Sequence, residues 1–151
     1  MRTHIVAVGR LKRGAEALLY EHFANRLRPS VHLHEVEDRK INDALRRKRE
    51  AELISAAIPK GATIVVLDEA GRNLTSHAFS NRLSRWQDMG TQELVFVIGG
   101  ADGLAEEIRA KAAFIMSFGR LTWPHLLVRG MLAEQLYRAQ QILAGHPYHR
   151  D

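Results

Sequence analysis

The feature that most constrains the fold is an apolar run, residues 94–98, that carries no charge and ends abruptly at Gly99 and Gly100. Such a run is typical of a buried parallel strand, and the glycines after it predict a bare backbone that faces a ligand. A second apolar segment, residues 114–118, ends at Gly119 before Pro124 opens another helix. We expect these two strand ends to lie side by side and form a crevice at the carboxyl edge of a sheet.

Strand patterns alternate with helix patterns along the chain, without an internal repeat, a low-complexity segment or a linker. This order predicts an α/β fold with a largely parallel sheet and helices on both faces. Residues 31–36 alternate apolar with polar side chains, which favours an edge strand.

Two further boundaries are predicted from turn and capping residues. Residues 62–67 form another apolar strand, and we expect residues 70–73 to turn before a helix capped by Thr75 or Ser76. Asp102 is predicted to start a short helix.

Length and composition favour one domain spanning residues 1–151. Hydrophobic residues make up 46% of the chain, enough for a core without covalent staples. The chain has no cysteine, which excludes disulfides, thiolate metal sites and cysteine nucleophiles. Its apolar start is too short for a signal peptide, and no later run approaches a membrane span. We therefore expect a soluble, cytoplasmic protein.

A formal charge of +5 and an isoelectric point near 10.0 permit a polyanionic partner. The most basic segment is residues 46–49, which Arg39 and Lys40 precede. Two interpretations stay open. The segment is either a solvated helix face balanced by Glu50 and Glu52 or a patch that contacts nucleic-acid phosphates.

No familiar catalytic or cofactor motif is present. The glycines of residues 99–103 lack the spacing of a dinucleotide-binding fingerprint, and no G-x-x-x-x-G-K-[ST] phosphate loop occurs. Ser117 lies in no nucleophile elbow. His146 and His149 are candidate metal ligands, but Pro147 argues against a helix that would align them, and no third ligand has a recognised spacing. We expect no metal.

The last predicted helix, residues 124–143, has a long apolar face. That face either packs entirely against the chain's own sheet or is shared with a second subunit, because a terminal helix is well placed for a twofold contact. A tail with aromatic and cationic groups, residues 146–150, follows the helix.

Several segments taken together resemble one family. They are residues 5–9, 94–103, 121–125, 127–129, 134–139 and 146–150, and the most specific parts are T-x-P-H-x-L-V-R and the tail HPYHR. On these residues the chain is identified as a member of the SPOUT-class ribosomal RNA large subunit methyltransferase H family, to which it is similar along essentially its whole length.

The resemblance implies an S-adenosylmethionine-dependent enzyme that methylates N3 of a pseudouridine in 23S ribosomal RNA. It implies action on the assembled ribosome as a homodimer, without a membrane or DNA partner. The implied SPOUT fold ties the carboxyl-terminal part of its sheet in a trefoil knot, an exception to the usual absence of knots. The alternatives are a SPOUT methyltransferase acting on transfer RNA and a non-catalytic ribosome-binding factor.

The resemblance also implies site residues, with the cofactor among three loops at strand ends. The implied cofactor-binding residues are Leu67, Gly99, Gly100, Phe118, Gly119, Arg120, Leu121, Thr122 and Trp123. Of these, the side chains of Leu121 and Trp123 are either walls of the site or plain core, and Arg120 could instead face substrate phosphate. The implied catalytic residues are Tyr148, His149, Arg150 and Arg138.

The chemistry of the target explains why such residues are expected. A cation near a pseudouridine imide would stabilise its anion, and a histidine or tyrosine could take its proton. Which residue is the base stays open. Arg129 and Arg138 are further candidates to hold the RNA.

Overall fold

The structure is a computed structural model that describes residues 1–38 and 42–148. In these residues, five parallel strands form one sheet. They are β1 (Arg2–Val8), β2 (His32–Val36), β3 (Thr63–Asn73), β4 (Glu93–Ile98) and β5 (Phe114–Ser117). The order across the sheet is β2-β1-β4-β3-β5, so residues 94–98 lie in the middle strand. The edge strand predicted within residues 31–36 is confirmed as β2.

Helices cover both faces of this sheet, which confirms the predicted α/β fold. The helices are α1 (Ala15–Ala24), α2 (Asp43–Ala57), α3 (Ser76–Asp88), α4 (Glu106–Ala110) and α5 (His125–Leu143). On one face α5 packs against α1 and α3, while α2 packs against α4, β1 and β2 on the other. No helix in the described part of the chain is both long and apolar enough to cross a membrane.

The middle strand explains why its sequence is apolar without interruption. Leu94, Phe96 and Ile98 belong to the core on the α5 side, and Val95 and Val97 belong to the core on the α2 side. Successive residues of a strand point to opposite faces of the sheet, and helices cover both faces here, so all five side chains are buried. Burying each such side chain contributes about 1.5–3 kcal/mol.

The expectation that the ends of β4 and β5 lie side by side is wrong. β3 lies between them, and it pairs with β4 on one side and with β5 on the other. The physical reason is that the apolar part of β3 uses both of its hydrogen-bonding edges, since Val65, Val66 and Leu67 pair with β4 and with β5. This apolar part ends at Leu67, level with the ends of β4 and β5, so three strand ends converge at this edge, as the three implied cofactor loops require.

The turn predicted at residues 70–73 is also wrong, because β3 continues through Asn73. The pairing with β5 shifts register after Leu67 and resumes with Arg72 opposite Met116. Gly71 permits this close pairing, since a Cβ there would lie 2.6 Å from the carbonyl carbon of Met116.

Asp102 does not start a helix as predicted; α4 begins at Glu106. Residues 100–103 form a turn instead, in which Gly103 N donates to Gly100 O at 3.1 Å. Of the two residues predicted to cap α3, Thr75 and Ser76, the structure confirms Thr75. Its hydroxyl accepts from Ala78 N at 3.1 Å and caps the helix.

Candidate functional site

A cleft of about 580 Å³ opens at the carboxyl edge of the sheet, beside Leu67 of β3 and the carboxyl ends of β4 and β5. Small-molecule and cofactor sites typically have volumes of about 300–1,000 Å³. Three loops and the first turn of α5 surround the cleft. Its lining residues are 67–70, 98–104, 109, 117–119, 121–123, 125 and 128.

Residues 68–70, at the register shift that follows the apolar part of β3, give the cleft an acidic side. Asp68 forms an ion pair with Arg109 of α4, and its other carboxylate oxygen accepts from Ala70 N at 2.8 Å. The exposed Glu69 accepts a hydrogen bond from the Thr122 hydroxyl at 3.0 Å. These bonds connect residues 68–70 to α4 and to the loop after β5, and they fix the positions of the two carboxylates.

The loop after β4 brings its backbone into contact with neighbouring side chains. A Cβ on Gly99 would lie 2.9 Å from Leu104 Cγ, and one on Gly100 would lie 2.9 Å from Val8 Cγ1. Real Cβ atoms essentially never come so close, so a larger residue at either position would displace the loop. The glycines therefore keep the end of β4 compact beside the cleft.

The loop after β5 is held by its own hydrogen bonds. Gly119 has a φ of +112°, and its amide donates to the Ser117 hydroxyl at 3.0 Å while that hydroxyl donates to Gly119 O at 2.7 Å. Trp123 Nε1 donates to Phe118 O at 3.3 Å. Leu121 is 72% exposed and Trp123 is 39% exposed. The interpretation of these two side chains as plain core is therefore wrong, and both form walls of the cleft.

Beneath the cleft, α5 is anchored by a buried arginine. Arg129 is fully buried and donates to Glu35 Oε1 at 2.7 Å, to Val8 O at 2.6 Å and to Gly9 O at 2.8 Å. Burial lowers the pKa of Arg129, and the Glu35 carboxylate opposes that effect. The suggestion that Arg129 holds RNA is wrong, because its guanidinium binds backbone carbonyls inside the protein.

His125 lies where α5 meets the cleft. Its Nε2 would be 3.3 Å from a Cβ on Gly9, which places the ring against the carboxyl end of β1. Burial lowers the pKa of His125, and the nearby Arg129 lowers it further. Both effects favour the neutral form of the ring.

The described part of the tail packs on α5, about two turns along the helix from the last residue that lines the cleft. The Tyr148 ring meets the Tyr137 ring edge to face at 4.8 Å, and the Arg138 guanidinium lies 5.2 Å from its centre. The Tyr148 hydroxyl donates to Glu134 at 3.4 Å, and Arg138 donates to the same carboxylate at 2.6 Å. Burial and the Glu134 carboxylate raise the pKa of Tyr148, so its phenol stays neutral here.

Comparison with known proteins assigns the chain to a family. The model of a family described as predicted SPOUT methyltransferase matches residues 1–149. This chain belongs to the SPOUT methyltransferase family. A ribosomal RNA large subunit methyltransferase H from Rhodospirillum centenum is 55% identical over 151 residues, with 99% of each chain covered. The protein of that name from Paramagnetospirillum magneticum is 50% identical with the same coverage. The resemblance drawn from the sequence motifs is confirmed.

A solved structure supports the SPOUT fold. The probable methylase family protein from Haemophilus influenzae Rd KW20 matches with a TM-score of 0.58 and 10% identity, covering 99% of this chain and 70% of that one. At that identity the likeness concerns the fold alone. The trefoil knot of the carboxyl-terminal part stays a prediction.

Most residues implied for cofactor binding in this SPOUT methyltransferase line one cleft. Eight of the nine do so, and Arg120 does not: it is exposed, outside the lining. Sequence reasoning missed Arg109 and His125 as lining residues. The position of His125, directly after Pro124 at a helix start, could have indicated that it faces the cleft. Arg109 has no such local indication, because its ion pair is with Asp68, which is distant in sequence.

The implied catalytic residues fall into two groups. Tyr148 and Arg138 lie together on α5 around Glu134. His149 and Arg150 lie outside the described residues. Among the residues that are described, no group of three or more histidine, cysteine, aspartate or glutamate side chains is placed to hold a metal ion.

The basic run at the start of α2 is largely paired within the chain. Arg49 bonds to Asp38 at 3.2 Å and to Glu52 at 2.9 Å. Arg46 lies 3.9 Å from the Asp102 carboxylate, and Arg47 donates to Asp102 O at 2.8 Å. This arrangement favours the solvated, balanced face over the phosphate-contacting patch.

Proposed function

We propose that this SPOUT methyltransferase uses S-adenosylmethionine to methylate N3 of a pseudouridine in 23S ribosomal RNA. We propose further that it acts on the assembled ribosome, in the cytoplasm, as a homodimer of single-domain chains comprising residues 1–151. The observation that carries the proposal is the cleft at the three converging strand ends.

The residues of the cleft fit the cofactor. S-adenosylmethionine has a flat aromatic adenine, a cationic sulfonium and an amino acid part that carries an ammonium and a carboxylate, and it supplies an electrophilic methyl group. Leu67, Leu121 and Trp123 provide apolar surface for a flat ring, and the exposed carboxylate of Glu69 suits a cationic group. The close contacts around Gly99 and the positive φ of Gly119 leave main-chain amides and carbonyls, instead of side chains, at the strand ends.

The remaining task of the chain is to position the target nitrogen and to remove its proton. The N3–methyl bond forms as the bond from sulfur to that methyl breaks, so N3 must be held in line and must lose its proton to a base. A guanidinium near the imide stabilises the anion that deprotonation leaves. We assign that role to Arg138 or Arg150, and proton transfer to His149 or Tyr148.

The position of Tyr148 supports a dimeric site. Its ring and hydroxyl contact Tyr137 and Glu134, in the middle of α5, whereas the cleft reaches only as far along this helix as Val128. A residue rises about 1.5 Å along a helix, so the contacts of Tyr148 lie roughly 9 Å or more beyond that end of the cleft. We propose that the tail serves a partner's cleft, and the half-exposed apolar side chains Met131 and Ile142 are available for the contact between subunits.

The test is methyl transfer from labelled S-adenosylmethionine to assembled ribosomes, free ribosomal RNA and transfer RNA. We expect transfer to ribosomes, with the label on N3 of a pseudouridine of 23S RNA. Preferential transfer to transfer RNA would contradict the substrate, and the absence of both S-adenosylmethionine binding and methyl transfer would indicate a non-catalytic ribosome-binding factor. The changes Tyr148→Phe, His149→Ala and Arg150→Ala should each lower turnover with little effect on cofactor affinity; normal turnover in all three would refute the catalytic assignment.

A further inference from the structure

The loop between β1 and α1 carries a basic cluster that the proposed reaction does not use. Arg10, Lys12 and Arg13 are exposed, and no acidic residue occurs between them. We call these three residues the β1–α1 cluster. A concentration of cations without intervening acid is the electrostatic signature of a surface that meets phosphates.

The cations of the β1–α1 cluster are unpaired or weakly paired, in contrast to those of α2. Lys12 and Arg13 make no hydrogen bond or ion pair within residues 1–38 and 42–148. Arg10 is 3.9 Å from Glu37, and its side chain is 68% exposed. A cation without an internal partner can pair with a ligand without first breaking an ion pair inside the protein.

The loop is anchored at Leu11, which lies between the exposed residues Arg10 and Lys12 in the sequence. Leu11 packs against the core on the α5 side, and its amide donates to Glu35 Oε1 at 2.6 Å. The same carboxylate oxygen accepts from the fully buried Arg129. A charged surface anchored in this way is preorganised, so binding needs less ordering of the loop.

The β1–α1 cluster lies on the same edge of the sheet as the cleft. β1 is the strand next to β4, and Gly100 at the end of β4 abuts Val8. Gly9, which follows β1, lies against His125 of the cleft. A nucleic acid that enters the cleft from this side therefore passes the loop.

We infer that the β1–α1 cluster binds the phosphate backbone of the substrate RNA next to the methylated nucleotide, and that the basic run of α2 does not. This inference rests on the proposed function. Phosphate contacts position a nucleic acid without reading its sequence, so the cluster sets affinity and orientation while the cleft selects the base. Binding through it falls as salt rises, because each phosphate contact releases condensed counterions.

The experiment compares a Lys12→Ala/Arg13→Ala variant with a matched control, Lys60→Ala/Arg85→Ala. Both remove one exposed lysine and one exposed arginine. The control residues precede β3 and occupy the last turn of α3, at the opposite edge of the sheet. The measurements are kcat and KM for ribosomes, calorimetric affinity for S-adenosylmethionine, and binding to ribosomes and protein-free 23S RNA over a range of salt.

We expect the cluster variant to raise KM about 10-fold or more and to reduce the slope of log affinity against log salt by about 2. Its kcat and its affinity for S-adenosylmethionine should be unchanged, and the control and Arg46→Ala/Arg47→Ala variants should resemble the unmodified protein. Equal effects in the cluster and control variants would overturn the inference, as would a larger effect from Arg46 and Arg47.

Two further outcomes separate the possible failures. Weaker binding to ribosomes with unchanged binding to protein-free RNA would mean that the cluster meets a ribosomal protein, which overturns an RNA contact. If the unmodified protein methylates no RNA, the proposed function fails. The salt dependence of RNA binding still decides the inference in that case, since it does not depend on turnover.

Discussion

At the scale of single residues, Arg129 shows that the type of a residue does not determine whether it is exposed or buried. From the sequence Arg129 is a candidate to hold RNA, yet its guanidinium is buried and donates to the backbone carbonyls of Val8 and Gly9 at the carboxyl end of β1. Arginine is rarely buried unless it is paired, and here the partner, Glu35, lies 94 residues away in sequence. No local pattern could have revealed that pairing.

Replacing Arg129 should therefore affect stability first. Arg129→Met would leave Glu35 without its buried partner and two backbone carbonyls without a donor. We expect a loss of about 3 kcal/mol in the free energy of unfolding, measured by urea denaturation. Arg85→Met, at an exposed site, is the control and should change stability little. A similar small change for both would contradict the structural role of Arg129.

Histidines should make the protein less stable in mild acid. Burial lowers the pKa of His34, and His4 and His32 beside it lower it further; the pKa of His125 is lowered mainly by burial. Below a pH of about 6.5, the pKa of histidine in the unfolded chain, the unfolded state binds protons that the native state does not bind. The free energy of unfolding therefore falls with pH until the pH drops below the native pKa. The free energy of unfolding should decrease from pH 7.5 to 5.5. His34→Gln should reduce that decrease, and an unchanged pH dependence would refute the contribution of His34.

At the scale of elements, the sequence predicted what local patterns determine and missed what distant pairing determines. The apolar strands, the edge strand β2 and the cap at Thr75 follow from periodicity and turn chemistry, and all three were correct. The continuation of β3 through Asn73 depends on pairing with β5, some 44 residues later by its register with Ser117. The polar, glycine-containing segment before Asn73 looks like a turn until that partner is known.

The extended part of β3 gives a test at this scale. Gly71→Ala would push a Cβ against the backbone of Met116, which cannot move aside as a flexible side chain can. We expect a loss of about 1–3 kcal/mol in the free energy of unfolding, the usual cost of overpacking. Gly14→Ala is the control, since its Cβ would meet only a flexible Glu16 carboxylate at 3.6 Å. Equal stabilities of the two variants would show that residues 70–73 do not pair closely with β5.

At the scale of the whole molecule, the site could be predicted in location but only partly in composition. Parallel strands end at one edge, so glycine-terminated apolar runs located the cleft before any coordinates. Which residue of a loop turns inward depends on its backbone path, and the outward Arg120 between the lining residues Gly119 and Leu121 illustrates that limit.

The proposed exchange of tails between subunits predicts complementation in a mixed dimer. One subunit would carry Leu121→Glu in its cleft, and the other would carry Tyr148→Phe, His149→Ala and Arg150→Ala in its tail. If each tail serves the partner's cleft, the mixed dimer contains one intact site and should retain about half the activity of the unmodified dimer. The assay uses S-adenosylmethionine at a concentration well below the Kd of the Leu121→Glu variant, where both parent dimers should show strongly reduced activity. A mixed dimer as inactive as its parents would mean that each tail serves its own subunit.

The central claim, that the three strand ends form the S-adenosylmethionine site, is tested most directly by calorimetric titration of two matched variants. Leu121→Glu places a carboxylate on an exposed wall of the cleft, and Met89→Glu places one on a residue that is 80% exposed beyond the end of α3. Losing the apolar contact of Leu121 should weaken cofactor binding roughly 10-fold or more, while Met89→Glu should leave it unchanged. Equal affinities in both variants and the unmodified protein would place the cofactor elsewhere and contradict the account.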